Sequence, residues 1–394
     1  MAKLRAVVLG ARFGGLATVS WLRRLKFAAE LEVIVVDRWQ ETVYRPALVQ
    51  AMALGPAFRV SSMNMPLARF WRQHRVEAVQ DTIVGVDPER REVFTASSPP
   101  ISYDVLFVAT GSEPAWDGIL GLGPHRGGVC EGYQARHAAR LNESWQGGHF
   151  VFATGPILGS PNWDPPVAVG CEPPLWESAL LFEHRLRQTG HRQASNLTVL
   201  TPGSEVAEAA GPQTRQRLKR LLVSRGIRIL TGVRFQEVTD REIVLADQRI
   251  PYDRALWIPP CQGSSWAQSS GISDRQGWIP TDHYLNHPEF PAIYAVGDVI
   301  SHSWPKNGHA AMVQARVAVH HWQAKIRGGR TPAPYRPELL WILDLGGGQG
   351  LFSLGDTFYG GHREVLVPGR SPYWAKHLFQ AAYIATRGAL PIMP

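Results

Sequence analysis

The chain has 394 residues, 44% of them apolar and 19% charged, a balance that argues against disorder and leaves room for two or three domains. Its formal net charge of +8 comes from 41 Lys and Arg scattered among 33 Asp and Glu; without a basic block, nucleic acid is not expected as a partner. Three cysteines, Cys130, Cys171 and Cys261, are too few for a disulfide scaffold and too far apart for a zinc site, so no metal is expected and one redox pair remains open.

The N-terminus runs from "MAKLR" into an apolar strand with no secretory leader, and no apolar run approaches the ~20 residues that span a bilayer. A cytoplasmic location is expected, free or on a membrane face. "LRAVVLG" reads as a buried strand, residues 16–27 carry a helical pattern, and "LEVIVVD" is a second buried strand ending at Asp37. The glycines between strand and helix, Gly10, Gly14 and Gly15, nearly spell the dinucleotide fingerprint, but Arg12 stands where Gly-x-Gly-x-x-Gly has its middle glycine. Asp37 lies 22 residues after Gly15, the distance at which an acidic side chain reaches a ribose.

"YDVLFVATGSEP" is a third buried strand, ending in Ala109, Thr110 and Gly111. A second α/β stretch covers 114–278: "HFVFATGPILGSP" brings a strand to glycines at a spacing unlike a second fingerprint. Its later strand "NLTVLTPG" ends in Thr201 and Pro202, where a nicotinamide cofactor would need an acidic ribose partner. The expectation is a second nucleotide domain whose NAD site has degenerated. "PAIYAVGDV" then returns as a strand closing on Gly297 and Asp298. From 331 the character changes: "RTPAPYRP" reads as a Pro-rich joint, "LGGGQG" as flexible. As a helix, 372–386 would carry Tyr373, Trp374, Phe379, Tyr383 and Ile384 on one side, suited either to packing on the body or to lying in a bilayer interface. The fold class is therefore α/β, with two Rossmann-like dinucleotide-binding domains in tandem plus a C-terminal membrane-associating segment. The domains are 1–113 with 279–330, then 114–278, then 331–394.

This order of features resembles the two-dinucleotide-domain flavoproteins and, more narrowly, the sulfide:quinone oxidoreductases, relatives of the type II NADH dehydrogenases. The stretches that carry the resemblance are "GARFGGL", "YRPAL", "VCE", "GPILG", "CEPPLWE", "IPPCQG", "YAVGDV" and "WPKNGHAAMVQAR". Some members of that family also carry Arg at the position of Arg12. The resemblance implies FAD as cofactor. Gly10, Gly14 and Gly15 would present backbone N–H groups to the pyrophosphate, Asp37 would hold the adenosine ribose, Ala109, Thr110 and Gly111 would line the cofactor, and Asp298 would bind the ribityl chain. Pro305 to Gly308, including Lys306, would run along the pyrimidine edge of the flavin. Arg12, Arg45, Pro46 and Gly297 stand in the same stretches and complete the cofactor-contact candidates.

The resemblance further implies a chemistry. Sulfide attacks a disulfide, one sulfur is left as a persulfide, and the other cysteine passes two electrons to the flavin and on to a membrane quinone. That places the protein at the cytoplasmic side of the cell membrane, peripheral and monotopic; a homo-oligomer is compatible with the sequence. Cys171 matches one member of the redox pair and Cys130 the third family cysteine, but the second redox position falls on Trp341. Cys261 is either a substitute partner for Cys171 or a packed, inert thiol. Glu172 and Glu177 are candidate proton acceptors beside Cys171, or else solvated or capping carboxylates. Two alternatives follow: NADH:quinone oxidoreduction, which needs a working nicotinamide site, and a flavoprotein that has lost turnover and serves as a sulfur-binding or electron-transfer partner.

Overall fold

The computed structural model describes residues 3–126, 128–159 and 163–389. Strands β1 (Leu4–Leu9), β2 (Leu31–Asp37) and, after the half-exposed edge strand β3 (Glu77–Gln80), β4 (Val105–Val108) are built from apolar runs. Burial on both faces is what a parallel sheet covered by helices requires. Between β1 and β2 stands α1 (Phe13–Leu22), which begins three residues earlier than the helical pattern suggests and ends five earlier. Its start is early because Gly14 and Gly15 belong to the first turn: a Cβ on Gly15 would lie 1.9 Å from the Gly10 carbonyl oxygen, so only glycine lets helix and strand approach. Its end is early because the Arg23 guanidinium donates to the carbonyls of Ala28, Leu31, His74 and Arg75 and ties down a turn. Leu25 and Phe27 are buried by that turn, not by a helix face.

The second unit contains α2 (Gly132–Glu143), β5 (Gly148–Thr154), α3 (Pro173–Thr189), β6 (Ser195–Leu200), α4 (Pro212–Ser224), β7 (Ile227–Leu230) and β8 (Arg254–Ile258). Its sheet is parallel in the order β7-β6-β5-β8. The chain then returns: β9 (Ile293–Ala295) joins the first sheet, giving the order β9-β4-β1-β2-β3, and α5 (Gly308–Arg327) packs on α1. The outgoing and returning segments, Glu113–Pro114 and Cys261–Gln262, pair antiparallel.

The C-terminal stretch differs from the expectation. The Pro-rich segment 331–337 is irregular, as a joint would be, but beyond it, in place of a flexible glycine run, β10 (Leu339–Gly346), β11 (Gln349–Gly355) and β12 (Glu364–Gly369) form an antiparallel sheet, followed by α6 (Arg370–Thr386). Gly346, Gly347 and Gly348 all have positive φ (80°, 64° and 71°) and make the tight turn of the β10–β11 hairpin, a conformation that disfavours side chains. Helix α3 lies between the second sheet and β10. Leu175, Trp176, Ala179, Leu180, Phe182 and Leu186 are accordingly buried all round it. This sandwich sets Cys171 and Glu172, just before α3, beside Trp341 of β10.

Helix α6 docks on β10 and β11, and its aromatic residues divide. Tyr383 is 1% exposed and Phe379 and Ile384 are half-buried against the body, whereas Trp374 and Leu378 are 60% and 67% exposed. Among the described residues no helix is long and apolar enough to cross a membrane. Residues 390–394 of the expected tail, and Ser160 and Pro161 of the second glycine stretch, lie outside the described residues.

Candidate active site

The carboxyl ends of β1, β4 and β9 lie side by side, the place where open α/β sheets bind their ligands. Gly10 has φ +97°, and a Cβ there would come within 2.5 Å of the Ala109 oxygen, so the first loop packs directly on the Ala109–Gly111 loop. Gly111 and Gly297 also have positive φ (76° and 81°), and a Cβ on Gly111 would meet nothing within 4 Å, which marks open space in front of that loop. The buried Thr110 hydroxyl has no partner. Helix α1 begins at Arg12 with no side-chain cap, leaving its first N–H groups to a ligand. Asp37 accepts from the Ala11 N–H at 2.7 Å and the Trp39 N–H at 2.9 Å, so its carboxylate is fixed at the rim of this cradle; burial raises its pKa. A glycine-lined cradle, free helix N–H groups and an acidic rim fit a dinucleotide such as FAD.

Arg12 does not obstruct the cradle. Its guanidinium reaches across to Glu131 and donates to both carboxylate oxygens at 3.2 Å. Arg45 pairs with the same carboxylate, and Pro46 opens the helical turn that follows it. Glu131 also caps α2 and follows Cys130, whose thiol is pushed up to about 11 by burial. The Arg12 position thus links the fingerprint loop to the Cys130 loop.

Asp298 follows Gly297 at the end of β9; burial raises its pKa against the pull of Lys306 and Arg45. Lys306, expected beside a flavin edge, is buried with its ammonium over the rings of Trp163 (4.7 Å) and Trp278 (4.5 Å) and donates to the carbonyls of Asp298 and Ile300, each at 3.0 Å. Desolvation lowers it to about 8. Gly308 opens α5 against the Phe13 ring, 2.9 Å from where its Cβ would stand, and Asn307 caps that helix through the Ala310 N–H.

Next to this segment is a cavity of about 30 Å³, lined by Cys171, Glu172, Lys306, Asn307, Trp304 and Trp341 among others. That is room for about two water-sized molecules. Trp341 lines this cavity together with Cys171, and its buried Nε1–H has no partner. All three thiols are free. Burial raises Cys171 well above an ordinary thiol, with Asp298 adding to the effect, and raises Cys261 to about 12 against the pull of Lys306. Cys261 packs with Ile157, Trp163 and Trp278, and its Sγ lies 2.9 Å from where a Cβ on Gly170 would stand, immediately beside Cys171.

Neither glutamate is a solvated group. Glu172 occupies the N-cap position of α3 but makes no capping bond; it is 7% exposed, and burial raises it to about 8. Glu177 is buried and paired with Lys376 of α6, and also accepts from the Asp344 N–H at 3.1 Å. Lys376 donates in addition to the Ile342 carbonyl at 3.1 Å. Sequence reasoning missed Lys376, Glu208 and the Trp163–Trp278 pair, because each acts on a residue more than 35 positions away and no local pattern marks it.

In the second glycine stretch, too, close approach requires glycine. Cβ atoms on Gly155 and Gly159 would stand 2.4 Å from the Pro260 ring and 1.9 Å from the Gln276 side chain, and the Trp278 indole donates to the Leu158 carbonyl at 2.9 Å.

The pattern of the family described as pyridine nucleotide-disulphide oxidoreductase matches residues 4–162 and 167–315. The sulfide-quinone reductase of Aquifex aeolicus is 24% identical over 408 residues, covering 97% of this chain and 90% of the relative. An NADH dehydrogenase-like protein of Mycobacterium tuberculosis is 26% identical over 305 residues, 75% of this chain and 72% of that one. The solved sulfide:quinone oxidoreductase of Aquifex aeolicus superposes with a TM-score of 0.86 at 20% identity, covering 98% of this chain and 92% of that chain. The NDH2 of Plasmodium falciparum, solved with NADH, superposes at 0.74 and 12% identity over 98% and 96%.

Proposed function

The chain belongs to the pyridine nucleotide-disulphide oxidoreductase family, with FAD as its cofactor, and on that premise we propose that it oxidises sulfide at Cys171 and passes two electrons to a membrane quinone. The observation that carries this reading is the small cavity that Cys171 lines together with Lys306 and Asn307, which lead into α5. When bound, FAD supplies the two-electron carrier between sulfur donor and quinone. Gly10, Gly14, Gly15, Asp37, the Ala109–Gly111 loop and Asp298 would hold it; Arg12 and Arg45 fix the Cys130 loop against its cradle through Glu131.

In this reading Cys171 would take up the sulfur of hydrosulfide as a persulfide, a net change of Cys171–S⁻ and HS⁻ to Cys171–S–S⁻, one proton and two electrons, an oxidation for which bound FAD would be the two-electron acceptor. The unpartnered Trp341 N–H is a donor suited to an anionic sulfur species. Trp341 leaves Cys171 no second thiol at that position. Cys261, reached past Gly170, is the remaining candidate for an exchange partner.

On the other side, Phe13, Tyr44, Phe379 and Tyr383 form a continuous aromatic cluster between α1 and α6, with Phe13 and Tyr383 centroids 4.7 Å apart. Trp374 and Leu378 project outward from the same helix. We assign quinone access to this cluster and contact with a membrane surface to the exposed pair. NADH as donor is disfavoured by Thr201 and Pro202, which stand where its ribose would need an acidic partner. Anaerobic sulfide should bleach the yellow flavin absorbance of the purified protein and NADH should not; bleaching by NADH alone overturns the assignment.

A further inference from the structure

The loop after β6 begins at Thr201 and Pro202, where a nicotinamide site would keep its acidic ribose partner, and it has another use here. Gly203 N–H donates to the Thr201 hydroxyl at 3.1 Å and Ser204 N–H to Glu208 Oε2 at 2.9 Å. Ala207 is held at φ +56° although it carries a side chain, a strained conformation that the surrounding bonds must impose. The other Glu208 oxygen accepts from Ala168 N–H at 3.2 Å, which ties the loop to the segment leading into Cys171. Ala209 then joins Cys171 and Glu172 in the cavity wall.

Glu172 is the residue this loop encloses. It is 93% buried by its 7% exposure, its Oε1 has no partner, and it makes no capping bond to α3, so neither solvation nor helix capping accounts for it. The Thr201 hydroxyl, the Glu208 N–H and the Glu208 carboxylate surround it. The titratable groups facing it are Cys171 on its own segment, Glu208 from the loop, Lys306 from before α5 and Tyr359 from after β11; Leu339 and Trp341 of β10 bring none. The Thr201 hydroxyl and the Glu208 N–H hydrogen-bond the carboxyl and leave Oε1 without a partner, and half-satisfied buried carboxyls concentrate where proton chemistry is done.

We propose that Glu172 exchanges a proton with the sulfur group at Cys171, and that Glu208 and Thr201 position it and set the pH at which it does so. The step is Glu172–COO⁻ with Cys171–SH giving Glu172–COOH and Cys171–S⁻; one proton moves and no electron. Its reverse restores the thiol once sulfur has left. The proposal rests on the assignment of sulfur chemistry to Cys171. Its loop geometry also supports it: the like charge of Glu208, held in place by two N–H groups, favours the protonated form of its neighbour, and burial brings Glu172 to about 8, closer to the raised Cys171 thiol than an ordinary carboxyl stands.

The test uses the FAD-loaded protein, with Glu172→Gln and Glu208→Gln, and inorganic sulfide as reductant from pH 6 to 10. Flavin reduction in the wild type should show a limb centred near pH 8. E172Q should abolish that limb and slow reduction about a hundredfold, while E208Q should move it to lower pH. A wild-type profile in E172Q, or an unmoved limb in E208Q, overturns the proposal; if E172Q does not accumulate as a yellow protein, E208Q alone decides. Infrared difference spectra keep the two readings apart. A protonated-carboxyl band that titrates near pH 8 and is lost in E172Q supports the role of Glu172 even where sulfide fails to reduce the wild type, an outcome that removes the sulfide reading only. Absence of that band overturns the proton-exchange role.

Discussion

The Arg12 guanidinium donates to both oxygens of Glu131 at 3.2 Å, joining the dinucleotide fingerprint to the residue that follows Cys130. Replacing Arg12 by glycine restores the usual fingerprint and should leave FAD bound. Both partners are about a third exposed, so the pair contributes at most ~1 kcal/mol after solvent screening. Flavin absorbance per protein should be unchanged in Arg12→Gly and the melting temperature only slightly lower; loss of flavin would show that Arg12 itself holds the cofactor.

Lys376 and Glu177 form a buried ion pair between α6 and α3. Lys376→Met leaves Glu177 as an uncompensated buried charge and should cost roughly 3–5 kcal/mol in a urea titration. The double substitution with Glu177→Gln should recover most of that loss. Equal stability of the single and double variants would mean that packing, not charge, carries the contact.

Trp341 lines the same cavity as Cys171. Trp341→Cys should place a second thiol within reach of Cys171 and yield a Cys171 disulfide in the oxidised protein, read by peptide mass mapping. The lost indole should cost roughly 2–4 kcal/mol in the reduced form. Two free thiols after oxidation would exclude the position as a redox partner.

Glu172 is raised to about 8 in the folded protein from an ordinary carboxyl near 4.5. Between those values the unfolded chain has lost the proton and the folded chain keeps it, so stability falls as pH rises from about 4.5 and levels off above about 8, with a slope up to about 1.4 kcal/mol per pH unit. Denaturation of Glu172→Gln across this window should show a flatter dependence than the wild type. Superimposable curves would place the Glu172 proton elsewhere.

Removing α6 would also strip Lys376 from Glu177 and Tyr383 from the core, so truncation cannot isolate a surface role. Trp374→Ser with Leu378→Ser alters only the exposed side. The double variant should lose liposome binding while sulfide still bleaches its flavin. Unchanged partitioning would assign any membrane contact to another surface.

The elements of both sheets were legible because parallel strands buried on both faces are written as unbroken apolar runs: "LRAVVLG", "LEVIVVD" and "VLFV" map onto β1, β2 and β4. The fingerprint glycines and Asp37 were equally legible, since backbone approach and an acidic rim are requirements of short segments. The C-terminal sheet was not, because three glycines with positive φ read as slack when their hairpin partners are unknown. The aromatic side of α6 was misjudged as one face for a similar reason: its burial depends on what lies beneath it.

The sequence by itself determined a dinucleotide-binding α/β chain, because that depends on glycine at sterically closed turns and on apolar strands, both local demands. Only the tertiary structure decided what surrounds Arg12, Glu172 and Trp341. Arg12 finds its carboxylate 119 residues away, Glu172 is enclosed by a loop that starts at Thr201, and Trp341 of β10 lines one cavity with Cys171. A side chain's charge state and reach depend on the desolvation and partners that folding supplies, and no neighbouring residue in the chain encodes them.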